Sequence, residues 1–439
     1  MEIPARHPRK GDCIIRERVQ MLGRVKVLVD YPDLGISRRP EYLDELADRE
    51  TGRAINLQSL PTASILSAAA RPVPDWQRAR QSLLALRLGQ STPETVRELS
   101  VGLSEVDVAC RWALDRAVSG QLSFLLFVSP YGMGKSHALA HLRELSRGRG
   151  MAAGTVVLDG VGTTLCRPLG LIGALSHSIE YPESAASDGL PQRLAGLVRT
   201  GAVDRLRIAG AEMLHRSLVN LNGEDVDDAD KWEAIEDYLS LEVSAPQASR
   251  RLGVRLPSLN ANQLANRPGR ASALLKEWAQ ACSVTNARGG LTILLDEADV
   301  DYGNRWRSET EYEQRAALLR EWRQMADSGP RGGSYAKLVV ALAMTPGLSE
   351  EDPIEELQQS LGPHLQVVTL RELIDSEMID LGGKVCALYR EAYELKGLEG
   401  ADAERLVAES LAVQRRGAEQ RNPRKLIRLL LEKLDADHA

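Results

Sequence analysis

The spacing of apolar positions changes character along the chain, and each change marks a different kind of element. Near the N-terminus the period is two. Within Met21–Asp30, Val25, Val27 and Val29 alternate with other residues, as a strand with one buried face requires. Turn formers bracket this stretch, His7-Pro8-Arg9-Lys10-Gly11-Asp12 before it and Tyr31-Pro32-Asp33-Leu34-Gly35 after it. A small β-rich unit over 1–50 is therefore predicted. From Glu41 to Pro74 the pattern is mixed and is broken by Pro61, Pro72 and Pro74. The region 51–100 reads as a linker with short helices over Asp75–Arg87 and Thr92–Leu99. A better helix follows over Val106–Val118, where Val106, Cys110, Ala113, Leu114 and Ala117 recur every three or four residues.

After Ser123 the apolar residues gather into short continuous runs, the signature of strands buried on both faces. Phe124–Val128, Thr155–Asp159, Leu291–Leu295 and Lys337–Met344 are such runs, and helical stretches separate them. Strands alternating with helices predict an α/β layer built on a parallel sheet. The span 180–285 reads as largely helical, and its acidic run Gly223–Asp230 reads as a solvated helix start or loop. Beyond Leu370 the pattern is helical to the end. The expected organisation is a core over 101–370, with a helical insertion at about 180–285, and a helical lid over 371–439.

Composition narrows the class. Of 439 residues, 43% are hydrophobic and 26% charged, which excludes a disordered or fibrous chain. Lys and Arg number 55 against 61 Asp and Glu, for a net charge of −6. No general positive field attracts nucleic acid, so any DNA contact must come from a local patch or from assembly. The five cysteines are scattered and contain no C-x-x-C pair, which fits neither a disulfide framework nor a zinc site. Neither a signal-peptide core nor an apolar run of membrane-spanning length is present, so a cytoplasmic protein without membrane contact is expected.

Chemistry enters with Ser129-Pro130-Tyr131-Gly132-Met133-Gly134-Lys135-Ser136, set between an expected strand and a helix that opens at His137. A triphosphate needs backbone N–H groups converging on its oxygens, and glycines permit that tight path. The helix N-terminus adds a favourable dipole. Lys135 is placed to reach the β- and γ-phosphates, and the Ser136 hydroxyl to hold Mg2+. Ser129 stands where the usual pattern has glycine, which is tolerable if its backbone stays in an ordinary conformation. The second segment is Leu291–Leu295 followed by Asp296 and Glu297. An apolar strand ending in two carboxylates delivers Asp296 beside the loop as a metal ligand, and Glu297 as the group that orients attacking water. His137 and His141 are four apart on one helix, a metal-compatible spacing, but no third ligand is apparent and a structural role is preferred.

These residues resemble the P-loop ATPases of the AAA+ class. More specifically, they are similar to the ATP-binding (BrxD-like) family of the bacterial BREX phage-defence islands. The resemblance spans about 75–435. It rests on Leu86-Arg87-Leu88-Gly89, on Val101-Gly102, on Tyr131-Gly132-Met133-Gly134-Lys135-Ser136-His137, on Leu295-Asp296-Glu297 and on Pro423-Arg424. It implies an AAA+ like module with ATP and Mg2+ as cofactors, an adenine pocket near Val101 and Gly102, and work beside a helicase in restricting phage. It also implies that Thr345, after the Lys337–Met344 strand, senses the γ-phosphate, and that Arg424 reaches back to the nucleotide from the last helix. The competing readings are a threonine ending a strand and a basic residue on a solvated helix. A homo-oligomer is expected, with an arginine supplied in trans from among Arg305, Arg307, Arg315, Arg320 and Arg323. The N-terminal stretch resembles small SH3-like barrels of DNA-associated proteins, the alternative being a few strands packed against the main body. The alternative to an ATPase of this kind is a nucleotide-gated DNA-binding switch, of initiator or loader type, or a regulatory scaffold with slow hydrolysis.

Overall fold

The computed structural model describes six N-terminal strands and, from 75 to 438, all residues except 183–188, 222–228, 258–267, 286–288, 304–307, 329–336, 347–352, 396–400 and 417–421. Two compact units are present, one of residues 1–73 with 226–233 and one of residues 74–225 with 234–439.

The first unit is a sheet of β1 (Ile3–His7), β2 (Gly11–Val19), β3 (Lys26–Tyr31), β4 (Ile36–Tyr42), β5 (Ala47–Asp48) and β6 (Thr62–Ala63). Its order is β4-β3-β2-β1-β5 with antiparallel neighbours, and β6 runs parallel to β2. The register slips between Ile15 and Glu17 and again between Val29 and Tyr31. Such irregularities bend a strand and increase its local twist. Of the alternating valines, Val27 and Val29 fall in β3, and Val25 lies outside the described residues.

The second unit is an α/β layer. It opens with α1 (Asp75–Arg87), α2 (Pro93–Leu99) and α3 (Ser104–Val118), close to the spans the periodicity predicts. Then come β7 (Ser123–Val128), α4 (Lys135–Gly148), β8 (Ala152–Val157), α5 (Pro168–Ser178) and the short β9 (Ile179–Glu180). The insertion is helical as expected: α6 (Leu190–Arg199), α7 (Asp204–Ile208), α8 (Glu212–Leu218), α9 (Ala229–Leu239), α10 (Ala245–Leu252) and α11 (Pro268–Thr285). Residues 223–228 of the acidic run lie outside the described residues. The chain continues through β10 (Leu291–Asp296), α12 (Val300–Gly303), α13 (Glu309–Ser328), β11 (Leu338–Met344), α14 (Pro353–Leu361) and β12 (Leu365–Thr369). It ends in α15 (Asp375–Tyr393), α16 (Ala401–Arg416) and α17 (Pro423–His438).

The strands order as β12-β7-β11-β10-β8-β9, with every pair parallel except β8 and β9. Period-two geometry divides each buried run between two faces. Leu125, Phe127, Leu294, Ala341 and Ala343 pack with α3 and α4 on one face. On the other, Ile293 and Leu295 meet α5, α11 and α13, and the Phe124 ring stacks on Trp322 at 5.9 Å. Two strand boundaries differ from the sequence reading. β8 starts at Ala152 because Ala152–Gly154 pair with Leu291–Ile293, and it stops at Val157. The Asp159 carboxylate there accepts the N–H groups of Val161, Gly162 and Thr163 and turns the chain. These bonds hold the carboxyl down at about 2. The edge strand β12 has only Val368 fully buried and so lacks the apolar run that identifies its neighbours.

The three C-terminal helices share a core with α1. Ala79 and Leu83 of α1 pack with Leu381, Val385, Leu406, Leu426, Leu430 and Leu434. The stretch read as a linker thus contributes a helix to the C-terminal layer.

Candidate functional site

A cavity of about 880 Å3 opens at the carboxyl ends of the parallel strands. Strands are added on both sides of β7, with β12 on one side and β11, β10 and β8 on the other, all parallel, and such switches in strand order leave a crevice outside the strand ends. Of the residues singled out in the sequence, Val101, Gly102, Tyr131, Gly132, Met133, Gly134, Lys135, Ser136, His137, Asp296, Glu297, Thr345 and Arg424 all line this one space. Pro130 contributes only its carbonyl, which accepts a hydrogen bond from Lys135.

The 129–134 loop leaves β7 in an ordinary conformation. The Ser129 N–H donates to the Met344 carbonyl (3.3 Å), its side chain is buried, and it is not among the positive-φ residues. Serine is therefore compatible here. Gly132 and Gly134 then take φ of +82° and +96°, the left-handed region that side chains resist. Gly134 caps α4 without a side chain, and no acid occupies the helix's first turn. The first N–H groups of α4 accordingly have no intrahelical or capping acceptor, as an anion-binding helix start requires. Lys135 Nζ donates to the carbonyls of Ser129 (2.8 Å) and Pro130 (3.2 Å). Burial lowers the Lys135 pKa, opposed by the charges of Asp299, Asp296 and Glu297.

At the end of β10, Asp296 Oδ1 accepts the N–H of Glu297 (2.9 Å). Glu297 has φ +56°, a conformation that costs a non-glycine residue about 1–2 kcal/mol. It persists because the Ala298 N–H donates to the Ala343 carbonyl (2.9 Å) and the Val300 N–H to that of Glu297 itself (3.1 Å). Two residues on, Asp299 Oδ1 accepts the Thr345 N–H (3.1 Å), tying the ends of β10 and β11 together. Asp299 also lines the cavity and was missed in the sequence, although its signal was present as the third acid of Asp296-Glu297-Ala298-Asp299.

The far wall comes from the start of α17. The Asn422 side chain caps this helix through Oδ1, which accepts the N–H groups of Arg424 (2.9 Å) and Lys425 (3.2 Å). Its Nδ2 donates to the Tyr131 carbonyl (3.0 Å). Arg424 Nη1 donates to the Tyr131 hydroxyl (2.6 Å).

Other candidates sort differently. His137 Nε2 contacts Ser100 Oγ (2.9 Å), whose own hydrogen goes to the Val96 carbonyl, so the imidazole donates. Burial, and secondarily the neighbouring His141, lower its pKa to about 4. His141 Nε2 meets Asp107 at 3.3 Å, and no cluster of three metal-binding side chains occurs among the described residues. Arg315 is buried in a bidentate pair with Glu356 and is unavailable to a second copy, whereas Arg320 and Arg323 are exposed. Arg305 and Arg307 lie outside the described residues. Cys110, Cys166, Cys282 and Cys386 are buried free thiols, and burial pushes Cys110 and Cys282 up to about 12 and Cys386 to about 11, so these three offer no thiolate nucleophile. No helix is long and apolar enough to cross a membrane among the described residues.

The fold and the site together define an α/β protein with a cavity at the carboxyl edge of a mostly parallel sheet. No family model matches the chain, and no curated protein matches its sequence.

Proposed function

We propose that this chain is a magnesium-dependent ATPase of the P-loop, AAA+ like class. One observation carries the reading. A glycine loop opening a helix, a lysine, a serine hydroxyl, two strand-end acids, a threonine and an arginine all converge on a single cavity though they are drawn from residues 131–424. The start of α4, which no side chain caps among the described residues, fits a phosphate, and the exposed Ser136 with the second Asp296 oxygen, which has no hydrogen bond among those residues, fits a hard cation with oxygen ligands.

In this reading Lys135 exchanges its two carbonyl acceptors for the β- and γ-phosphate oxygens. Its ammonium is already beside the loop, so little reorganisation precedes binding. Ser136 and Asp296 hold the metal, and bound magnesium supplies charge neutralisation at the phosphate oxygens. Glu297, aimed by its left-handed backbone, orients the water for in-line attack. Asp299 fixes the Thr345 backbone and so keeps the threonine at the cavity wall. Glu297→Gln should reduce steady ATP turnover at least about a hundredfold while ATP binding persists. Unchanged turnover would sink the assignment.

The finer reading is a defence ATPase that forms homo-oligomers, works with a helicase-like partner and acts on DNA. Its support is the resemblance carried by the loop, Asp296-Glu297 and Pro423-Arg424. ATP turnover measured with and without DNA, across protein concentration, tests it. Stimulation by DNA and a rise in specific activity with concentration are expected, and turnover indifferent to both would remove the DNA and oligomer proposals.

A further inference from the structure

We propose that Tyr131 is the positioning residue for Arg424, holding its guanidinium over the loop before nucleotide arrives and thereby setting the preference for ATP over ADP. The inference rests on the ATPase reading above. Tyr131 is 68% exposed, whereas Ser129 and Met133 of the same loop are buried. A ring so placed does little for the core, yet both ends of the residue are engaged by the start of α17. Its carbonyl accepts from Asn422 Nδ2 (3.0 Å) and its hydroxyl from Arg424 Nη1 (2.6 Å), and the guanidinium carbon lies 5.2 Å from the ring centroid.

A second observation points the same way. Gly89, after α1, has φ +69°, and a Cβ built on it would overlap the Arg424 guanidinium. A glycine there both turns the chain and leaves the space the arginine fills. Among the described residues, Arg424 Nε and Nη2 make no hydrogen bond, so donors remain for an anion once Tyr131 has taken Nη1. An exposed arginine has many rotamers, and fixing them beforehand reduces the entropy lost on binding. The advantage applies only to the group Arg424 meets, and the proposal places the terminal phosphate there.

The test is a double-mutant cycle read by calorimetric titration of ATP and ADP with magnesium, using the full chain. Tyr131→Ala should weaken ATP about tenfold and ADP less than about twofold. Tyr131→Phe, which keeps the ring and loses the hydroxyl, should fall between, and it serves if the alanine variant fails to fold. In an Arg424→Ala background, Tyr131→Ala should have no further effect. Equal losses for ATP and ADP, or equal losses with and without Arg424, would overturn the assignment while leaving the ATPase reading intact. Wild-type protein that binds neither nucleotide would overturn both.

Discussion

Asp299 and Asp301 are two residues apart, yet they sit in opposite electrostatic settings. Asp301 is fully buried and saturated. Its carboxylate accepts from the Thr164 hydroxyl and the Leu165 N–H, and its carbonyl from Arg315 Nη1 (2.7 Å). Arg315 in turn is 3% exposed, pairs with both oxygens of Glu356 (2.7 and 3.2 Å), and lies over the Tyr302 ring at 3.9 Å. By contrast, Asp296, Glu297, Asp299 and Lys135 share the cavity without one ion pair between them among the described residues. Among the described residues, the Asp296 and Asp299 carboxylates accept only backbone N–H groups, and the lysine donates only to carbonyls. Charges that have found one another hold a fold together. Charges kept apart across an open space leave room for a ligand that carries charges of its own.

Removing the saturated cluster should have the largest effect on stability. Arg315→Ala removes both bonds to the Glu356 carboxylate and the bond to the buried Asp301 carbonyl, an expected loss of about 3 kcal/mol in chemical denaturation, at the low end for a buried pair because the Glu356 side chain is 28% exposed. Arg315→Lys should not restore it, because an ammonium reproduces neither the bidentate pair nor the ring contact. The matching change in the cavity, Asp296→Asn, should move stability by less than about 1 kcal/mol. Comparable losses at both sites would erase the distinction.

His137 sharpens the comparison, because it lines the cavity and yet is held neutral. Its folded pKa of about 4 lies below the unfolded value near 6.5, so between these limits the unfolded chain binds the extra proton. Stability should therefore be complete above about pH 6.5 and decline as pH falls toward 4, by at most about 3 kcal/mol from this residue. The groups it faces, Ser100 and His141, offer no carboxylate to offset the charge. Unfolding curves at pH 7 and 4.5 for wild type and His137→Gln test this. A decline of equal size in both proteins would refute it.

Much of this arrangement is legible in the sequence, and the reason is physical. The loop and the β10 end are contiguous segments whose chemistry depends on local spacing, so Lys135, Ser136, Asp296 and Glu297 could be named before any fold was known. β7 and β11 were readable because strands buried on both faces are apolar throughout. What escaped depends on distant parts of the chain. Asp299 matters because β11 brings the Thr345 N–H to it, and α1 joins the C-terminal helices only through tertiary packing. Val368 alone cannot announce an edge strand, and the pairing of Tyr131 with Arg424 spans 293 positions.

The smallest expected effect isolates the strain at Glu297. Both Glu297→Ala and Glu297→Gly delete the carboxylate, so they share the effect of losing its charge from the cavity. They differ at the backbone. Alanine at φ +56° retains the steric clash of a left-handed residue, about 1–2 kcal/mol, which glycine avoids. Glycine in turn gives up about 0.5–1 kcal/mol through the greater freedom of its unfolded chain. The difference leaves Glu297→Gly more stable than Glu297→Ala by about 0.5–1 kcal/mol, a sign opposite to that expected in an ordinary helix or strand. Paired denaturation curves measure it directly. If alanine proves the more stable, the chain relaxes out of the left-handed conformation, and the bonds from Ala298 to Ala343 and from Val300 to Glu297 do not fix the side chain over the cavity. If glycine is the more stable, those bonds hold a strained residue in place at the end of β10, where no ion pair engages the acids among the described residues, and under the proposed ATPase reading positioning counts for more than basicity at this residue.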